Sequence, residues 1–379
     1  MKKYLLSFVL LLTAVVALGQ NKEIDQILHA YTDSGDVAGM VAVVAHKEKV
    51  LTVNSAGYQD IAKGKRMAPD ALFWIASQSK PIAGAAVMML VDEGKLDLDA
   101  PVATYLPELG EMMVARVARA GWRVEEKTDK PITLRQLMSH TSGMSWVASA
   151  QEKSGKIDII PLGVSVYVSA ATPLLDDPGK RYSYSNQGVN IAAAIIERVS
   201  GASYHEFLQK RIFDPLTMVS ATFWPTGKQL DKLAVPYKMK DGKLVESTIN
   251  QLQYPLDDRS KRFAEAAGGL FCTPVDLVKL YQMIACGGTF GGKRLLSEKA
   301  VAELAKKQTP ETVKESYSLG WKVGDRFIGH GGSYGTDTRV YISSGHVVLY
   351  FVQEQGLKKS NVAKNEFYRA AARIYNFGQ

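Results

Sequence analysis

The amino-acid sequence predicts an α/β (α+β) protein in which an antiparallel sheet, flanked by helices, is interrupted by an inserted, mostly helical domain. Three observations lead there. Strand signals cluster near the two ends, in residues 39–53 and 318–351, as β-rich runs bounded by turn residues. The stretch from about 95 to 235 instead carries helix caps and long apolar helical runs. The late strand runs are joined by short turns, which suits antiparallel pairing. With 379 residues, 46% of them hydrophobic and 22% charged, the chain is long enough for about two domains around a large core. The expected division is 1–19 as a signal peptide, 20–94 with 236–379 as the sheet domain, and 95–235 as the helical domain.

Met1-Lys2-Lys3 precedes an apolar stretch from Tyr4 to Leu18 and then polar Gln20-Asn21-Lys22-Glu23. That is the pattern of a signal peptide, with cleavage after Ala17-Leu18-Gly19. The stretch is short for a membrane span, and no cysteine stands at the cleavage region to take a lipid. The expected product is exported, periplasmic or secreted, with no stable membrane anchor after cleavage.

Residues 22–33 have helical amphipathicity, and 39–45 with 49–53 read as two strands turning at His46-Lys47-Glu48. The next helix starts at or just before Ser77, runs to about Glu93 and stops at Gly94. Capping boxes stand at Thr133–Gln136 and Ser203–Glu206, and a long apolar helix runs from Gly188 to Arg198, closed by Gly201. Strands are expected at Ser318–Val323, Arg326–Ile328, Thr338–Ile342 and His346–Phe351, and a last helix at Asn361–Ile374.

The net charge of +8 is spread over scattered basic residues. Lys63-Gly64-Lys65-Arg66 falls short of a nucleic-acid-binding run, so no nucleic-acid partner is expected. Cys272 and Cys286 flank a helix capped by Thr273 with Pro274 at its first position. They would lie about 20 Å apart along it, out of disulfide reach, and are expected to be free thiols. No metal-ligand spacing or cofactor motif is found, and the oligomeric state is left open.

Three short motifs carry chemistry. Ser77-Gln78-Ser79-Lys80 puts a hydroxyl and an amine three residues apart, on one face of a helix. Unpaired N–H groups of the first turn favour charge developing on an attacked carbonyl oxygen. By itself the pattern occurs by chance about once per chain of this length, and Ser77 would then be a helix cap. Tyr184-Ser185-Asn186 places a phenol, able to act as acid or base beside a cation, next to an amide that both donates and accepts. Its plain alternative is a core tyrosine beside a capping asparagine. Gly329-His330-Gly331-Gly332-Ser333-Tyr334-Gly335 lets backbone approach a ligand closely and present N–H groups. Gly331 to Gly335 also matches the Gly-x-Ser-x-Gly nucleophile elbow, with Asp337 and His346 downstream. An elbow needs a helix straight after the serine, and the β-branched Thr336–Ile342 does not read as one.

Ser77-x-x-Lys80, Tyr184-x-Asn186 and His330-Gly331-Gly332, in this order, resemble the motifs of serine hydrolases related to class C β-lactamases, penicillin-binding proteins and family VIII-like esterases. Leu137–Met144 and Ala266–Thr273 resemble two further segments of that family. The resemblance implies a β-lactamase/transpeptidase-like fold and an acyl-enzyme on Ser77. It makes Ser77, Lys80 and Tyr184 catalytic, with Lys80 and Tyr184 sharing proton transfer, and Asn186, His330, Gly332 and Ser333 substrate-binding. The N–H groups of Ser77 and Ser333 would form the oxyanion hole. β-Lactamases and D-alanyl peptidases of the family usually carry lysine where this chain has His330, so the resemblance is nearer its esterase-like branches. Arg339 is a candidate replacement cation. The expected function is hydrolysis of a small carboxylic ester or amide without metal or cofactor. The rivals are a β-lactamase, a D-alanyl-D-alanine carboxypeptidase and a non-catalytic binding or sensor protein.

Overall fold

The computed structural model describes residues 21–117, 123–356 and 358–378; the expected signal peptide lies outside them. Its centre is a 7-stranded sheet of β1 (Gly39–His46), β2 (Lys49–Asp60), β3 (Lys65–Arg66), β4 (Lys322–Val323), β5 (Ile328–Gly331), β6 (Asp337–Tyr341) and β7 (His346–Phe351). The spatial order is β4-β5-β6-β7-β1-β2-β3, and every neighbouring pair is antiparallel. The β1–β7 seam, with Val43 opposite Leu349, joins the two ends of the chain.

Both faces of the sheet are covered, which is why β1 reads as a continuous apolar run rather than an alternating one. Met40, Ala42, Val44, Val348 and Tyr350 pack under the helices α1 (Lys22–Asp33) and α6 (Lys358–Ile374). Val41, Val43, Val340, Val347 and Leu349 face α2 (Ser79–Asp92) and α5 (Pro274–Ala285). That second cluster continues without a break into the middle of the chain. It takes in Leu134 and Leu137 of the short helix α3 (Leu134–Met138) and Ile191 and Ile195 of α4 (Asn186–Ser200). α2 is buried along nearly its whole length, so it is held by packing on all sides. It can lie so close to the loop before β4 because Gly84 has no side chain; a Cβ there would stand 2.0 Å from the Leu319 carbonyl oxygen.

The expected elements are present with shifted ends. The Thr133 cap is a full box, closed by Gln136 in both directions. The last helix begins at Lys358 and the helix after Tyr184 at Asn186, one turn earlier at most than the apolar pattern showed. β5 covers Ile328–Gly331 rather than Arg326–Ile328, because Gly324 to Phe327 close a turn through the Gly324 N–H and the Phe327 carbonyl. His330 and Gly331 therefore belong to the ladder, opposite Thr338 and Asp337. The middle of the chain also holds a ladder of Met113–Val117 with Arg123–Lys127, which its charged residues concealed. Both cysteines are free, the first just before α5 and the second just after it.

One buried ion pair ties down the loop that leads to the active segment. Arg262 Nε lies 2.6 Å from Asp158 Oδ2, with both side chains at most 1% exposed, and the guanidinium also donates to the Phe223 carbonyl. The Asp158 carboxylate accepts the Gln253 N–H, and its carbonyl accepts the Phe263 N–H. Arg262→Ala would leave a carboxylate buried alone and is expected to cost about 3–5 kcal/mol of unfolding free energy. Denaturant titration checks this, and a loss under about 1 kcal/mol would show the pair to be dispensable.

Candidate active site

Ser77 stands at a sharp join between strand and helix. Ala76 is held at φ +47°, a region that residues with a Cβ avoid and that persists only where the surroundings enforce it. Here they do. Ile75 N–H donates to the Leu270 carbonyl, and the Trp74 ring N–H donates to the Gly268 carbonyl at 2.6 Å. The Ser79 hydroxyl donates to the Ala76 carbonyl at 2.7 Å and accepts the Leu270 N–H. Gln78 is clamped from the other side, its Oε1 accepting from Thr338 of β6 and Tyr281 of α5. A single turn of 3-10 helix, Ala76–Gln78, then runs into α2.

Lys80 is fully buried, yet its Nζ is well supplied with acceptors. Asn186 Oδ1 and the Ala267 carbonyl each lie at 2.8 Å, and Ser77 Oγ at 3.2 Å. Burial pushes the amine's proton affinity down, and the nearby Glu265 opposes that shift. The Tyr184 phenol feels the Ser77 hydroxyl electrostatically, and its ring centroid lies 4.6 Å from Lys80 Nζ. Burial pushes this phenol up to about 12, with the Ser77 hydroxyl and the charge of Lys322 acting against it. Ser77 and Tyr184 remain partly open to solvent while Lys80 does not. Asn186 is the first residue of α4; the cap is Ser185, whose hydroxyl accepts the Gly188 N–H at 2.9 Å. Its amide is thereby left free to hold the lysine.

The third segment reaches the serine through its backbone. Gly332 packs on the residues before Ser77, where a Cβ would lie 2.4 Å from the Ile75 carbonyl and 2.3 Å from Thr336 Oγ1. Ser333, the next residue, is exposed. Among the described residues, neither the Ser77 nor the Ser333 N–H has a protein acceptor. His330 differs, being buried with both ring nitrogens engaged. Nδ1 lies 2.7 Å from the Gly331 carbonyl and Nε2 2.8 Å from the Tyr317 hydroxyl. Since a carbonyl only accepts, Nδ1 carries the proton and Nε2 accepts from tyrosine. Burial and the charge of Lys80 hold this imidazole well below its usual range, and hence neutral.

The other sequence candidates fall elsewhere. Arg339 lies over the rings of Phe327 and Tyr368, at 4.7 and 4.2 Å, on the α6 side of the sheet. It is not the replacement cation. The elbow alternative fails because Gly335 leads into β6, while Asp337 is bonded to Tyr368 and His346 stacks on Phe377. His140 makes a structural hydrogen bond, its Nδ1 accepting the Ser185 N–H at 3.1 Å. Sequence reasoning missed Tyr317, Asn190, Glu265 and exposed Lys322. For Asn190 there was a signal, since it follows Asn186 by four residues and shares its helix face.

A buried lysine and a phenol on one serine, at the start of a helix behind an antiparallel sheet, define a serine hydrolase of the β-lactamase/transpeptidase-like fold. The chain belongs to the β-lactamase family, a family of serine hydrolases, whose model described as "Beta-lactamase" matches residues 24–373. An uncharacterized protein of Mycobacterium tuberculosis is 30% identical over 293 residues, 76% of this chain and 72% of that one. The esterase EstB of Burkholderia gladioli is 30% identical over 224 residues, 54% of each chain. Among solved structures, EstCE1, described as a hydrolase with promiscuous acyltransferase activity, superposes with a TM-score of 0.78 at 19% identity. That match covers 92% of this chain and 97% of the other.

Gly332→Ala is expected to push the Ser333 N–H away from Ser77 and to lower kcat on a p-nitrophenyl ester by about 100-fold. Unaltered kcat in the folded variant would remove that N–H from the oxyanion hole.

Proposed function

We propose that this chain is an exported hydrolase that cleaves a small carboxylic ester or amide through an acyl-enzyme on Ser77. The observation that carries the reading is the meeting of Ser77, Lys80 and Asn186 in one hydrogen-bonded cluster, with the Tyr184 ring centroid 4.6 Å from the amine. Asn186 and the Ala267 carbonyl take two N–H bonds of Lys80, which leaves the third position of a neutral amine, its lone pair, facing the serine. Burial favours the neutral amine over the ammonium and the phenol over the phenolate, so Lys80 is the better proton acceptor. Ser77 Oγ attacks the carbonyl carbon as its proton passes to Nζ. The carbonyl oxygen becomes an oxyanion between the N–H groups of Ser77 and Ser333. Collapse breaks the bond to the leaving group, which takes a proton from the Lys80–Tyr184 pair beside Oγ. Water then enters and cleaves the acyl-serine by the same steps.

An ester or uncharged amide is favoured over a β-lactam or a D-alanyl peptide by the neutrality of His330, which leaves no fixed cation at that position to hold a substrate carboxylate. The name of the relative EstB supports the same direction. Export rests on the sequence pattern of residues 1–19.

Mass spectrometry after exposure to a fluorophosphonate is expected to show one adduct on Ser77 and none in Ser77→Ala; a chain that takes no adduct is a binding or sensor protein instead. Lys80→Ala and Tyr184→Phe are each expected to lower kcat by about 100-fold or more. In steady-state assays a p-nitrophenyl ester should exceed both nitrocefin and a D-Ala-D-Ala peptide in kcat/KM, and nitrocefin as much the best substrate would overturn the ester reading.

A further inference from the structure

Glu265 is 2% exposed and lies beside the Lys80 site without touching the serine. It opens the tight turn whose third residue, Ala267, presents its carbonyl to Lys80. The Gly269 N–H closes that turn on the Glu265 carbonyl at 2.8 Å. Gly269 is required there, since a Cβ would stand 2.8 Å from the same oxygen. Glu265 Oε1 accepts from Asn190 Nδ2 at 3.0 Å, and Asn190 Oδ1 accepts the Ala266 N–H at 2.9 Å. Asn190 follows Asn186, the lysine's own partner, by one turn of α4. One turn and one helix face thus hold both the amine and the carboxyl group. Glu265 Oε2 is faced by the Gly268 backbone N–H but has no partner at full hydrogen-bond geometry among the described residues. An unsatisfied carboxyl oxygen inside the core is a poor structural choice, because a smaller or uncharged side chain would fill the space at lower cost.

We propose that Glu265 is a positioning residue for Lys80: its charge state, steadied by Asn190, sets whether the lysine rests as ammonium or as free amine. The inference builds on the reading of Ser77 and Lys80 given above. A Glu265 carboxylate favours the ammonium, and the neutral acid releases the amine to act as base. Burial pushes the acid up and the amine down, and each charge partly restores the other. Asp158 pushes Glu265 up further and is itself paired with Arg262. Tyr204 and Tyr184 feel the Glu265 charge as neutral phenols. The imidazoles of His140 and His330 are kept neutral by burial and by Lys80.

The test is the rate of Ser77 labelling by a fluorophosphonate as a function of pH, on the full chain, for the wild type, Glu265→Gln and Glu265→Asp. A carboxylate raises the proton affinity of Lys80 and an amide does not, so the limb that reports Lys80 should fall by about one to two pH units in Glu265→Gln. Glu265→Asp, which keeps the charge, should move it back toward the wild type. A folded Glu265→Gln with the wild-type profile overturns the proposal. If Glu265→Gln does not fold, Asn190→Leu takes its place. Loss of the amide donor favours the neutral acid, so the limb must move in the same direction, and an unmoved limb again overturns it. A wild-type chain that takes no label on Ser77 at any pH would instead sink the reading of the site itself.

Discussion

An amine buried in an apolar core is unfavourable in its charged form, because desolvation is only partly repaid by hydrogen bonds. Lys80 sits under that constraint, and much of the surrounding structure follows from it. Its two short bonds come from a helix start, at Asn186, and from a turn, at Ala267. Neither would be available to it if α4 or the Glu265–Gly269 turn moved by the length of a side-chain bond. The same burial that makes the lysine expensive also makes it a usable base, since an exposed amine would hold its proton throughout the neutral range.

Holding those donors and acceptors in place requires contacts between segments far apart in the chain. The β1–β7 seam brings the first and last strands of the sheet together, and Gln78, next to Ser77, bonds to Thr338 and Tyr281 from the far third of the sequence. The loop of residues 268–270 is fastened to Trp74, Ile75 and Ser79. The strained Ala76 is affordable only within such a frame, since its left-handed conformation opposes the usual preference of an alanine by about 1–3 kcal/mol. Rigidity at the serine is thus a property of the whole sheet and its covering helices, rather than of the four residues of the motif.

How much of this was legible in the sequence depended on the range of the interaction involved. The helix after Ser77, the cap at Thr133 and the antiparallel late strands are set by neighbours within a few positions, and their signals survive in the letters. The three motifs were legible as well, because reactive side chains at fixed spacing are rare in combination. What failed was long-range or backbone-borne. The shift of β5 by a few residues depended on where a turn closed between Gly324 and Phe327. Tyr317 belongs to the site only because the fold brings its hydroxyl to His330, and no local pattern announces that. Arg339 looked like a free cation, yet alternation along β6 sends it to the face covered by α6. Glu265 was passed over because nothing near it in sequence marks a carboxyl group as buried.

His330 bears most directly on substrate choice. A lysine at this place would bring a permanent charge to whatever lies against the serine. The imidazole brings none, and both of its nitrogens are spent inside the protein. The segment also packs through its backbone: just after β5, Gly332 presses against Ile75. Binding energy drawn from a substrate carboxylate would strengthen ground state and transition state alike, whereas an N–H aimed at the developing oxyanion acts mainly on the latter. A neutral Tyr317–His330 pair in place of a cation offers no charge to an acidic group. Lys322, at the solvent edge of β4, is left as a charge that acts on Tyr184 and His330 from outside.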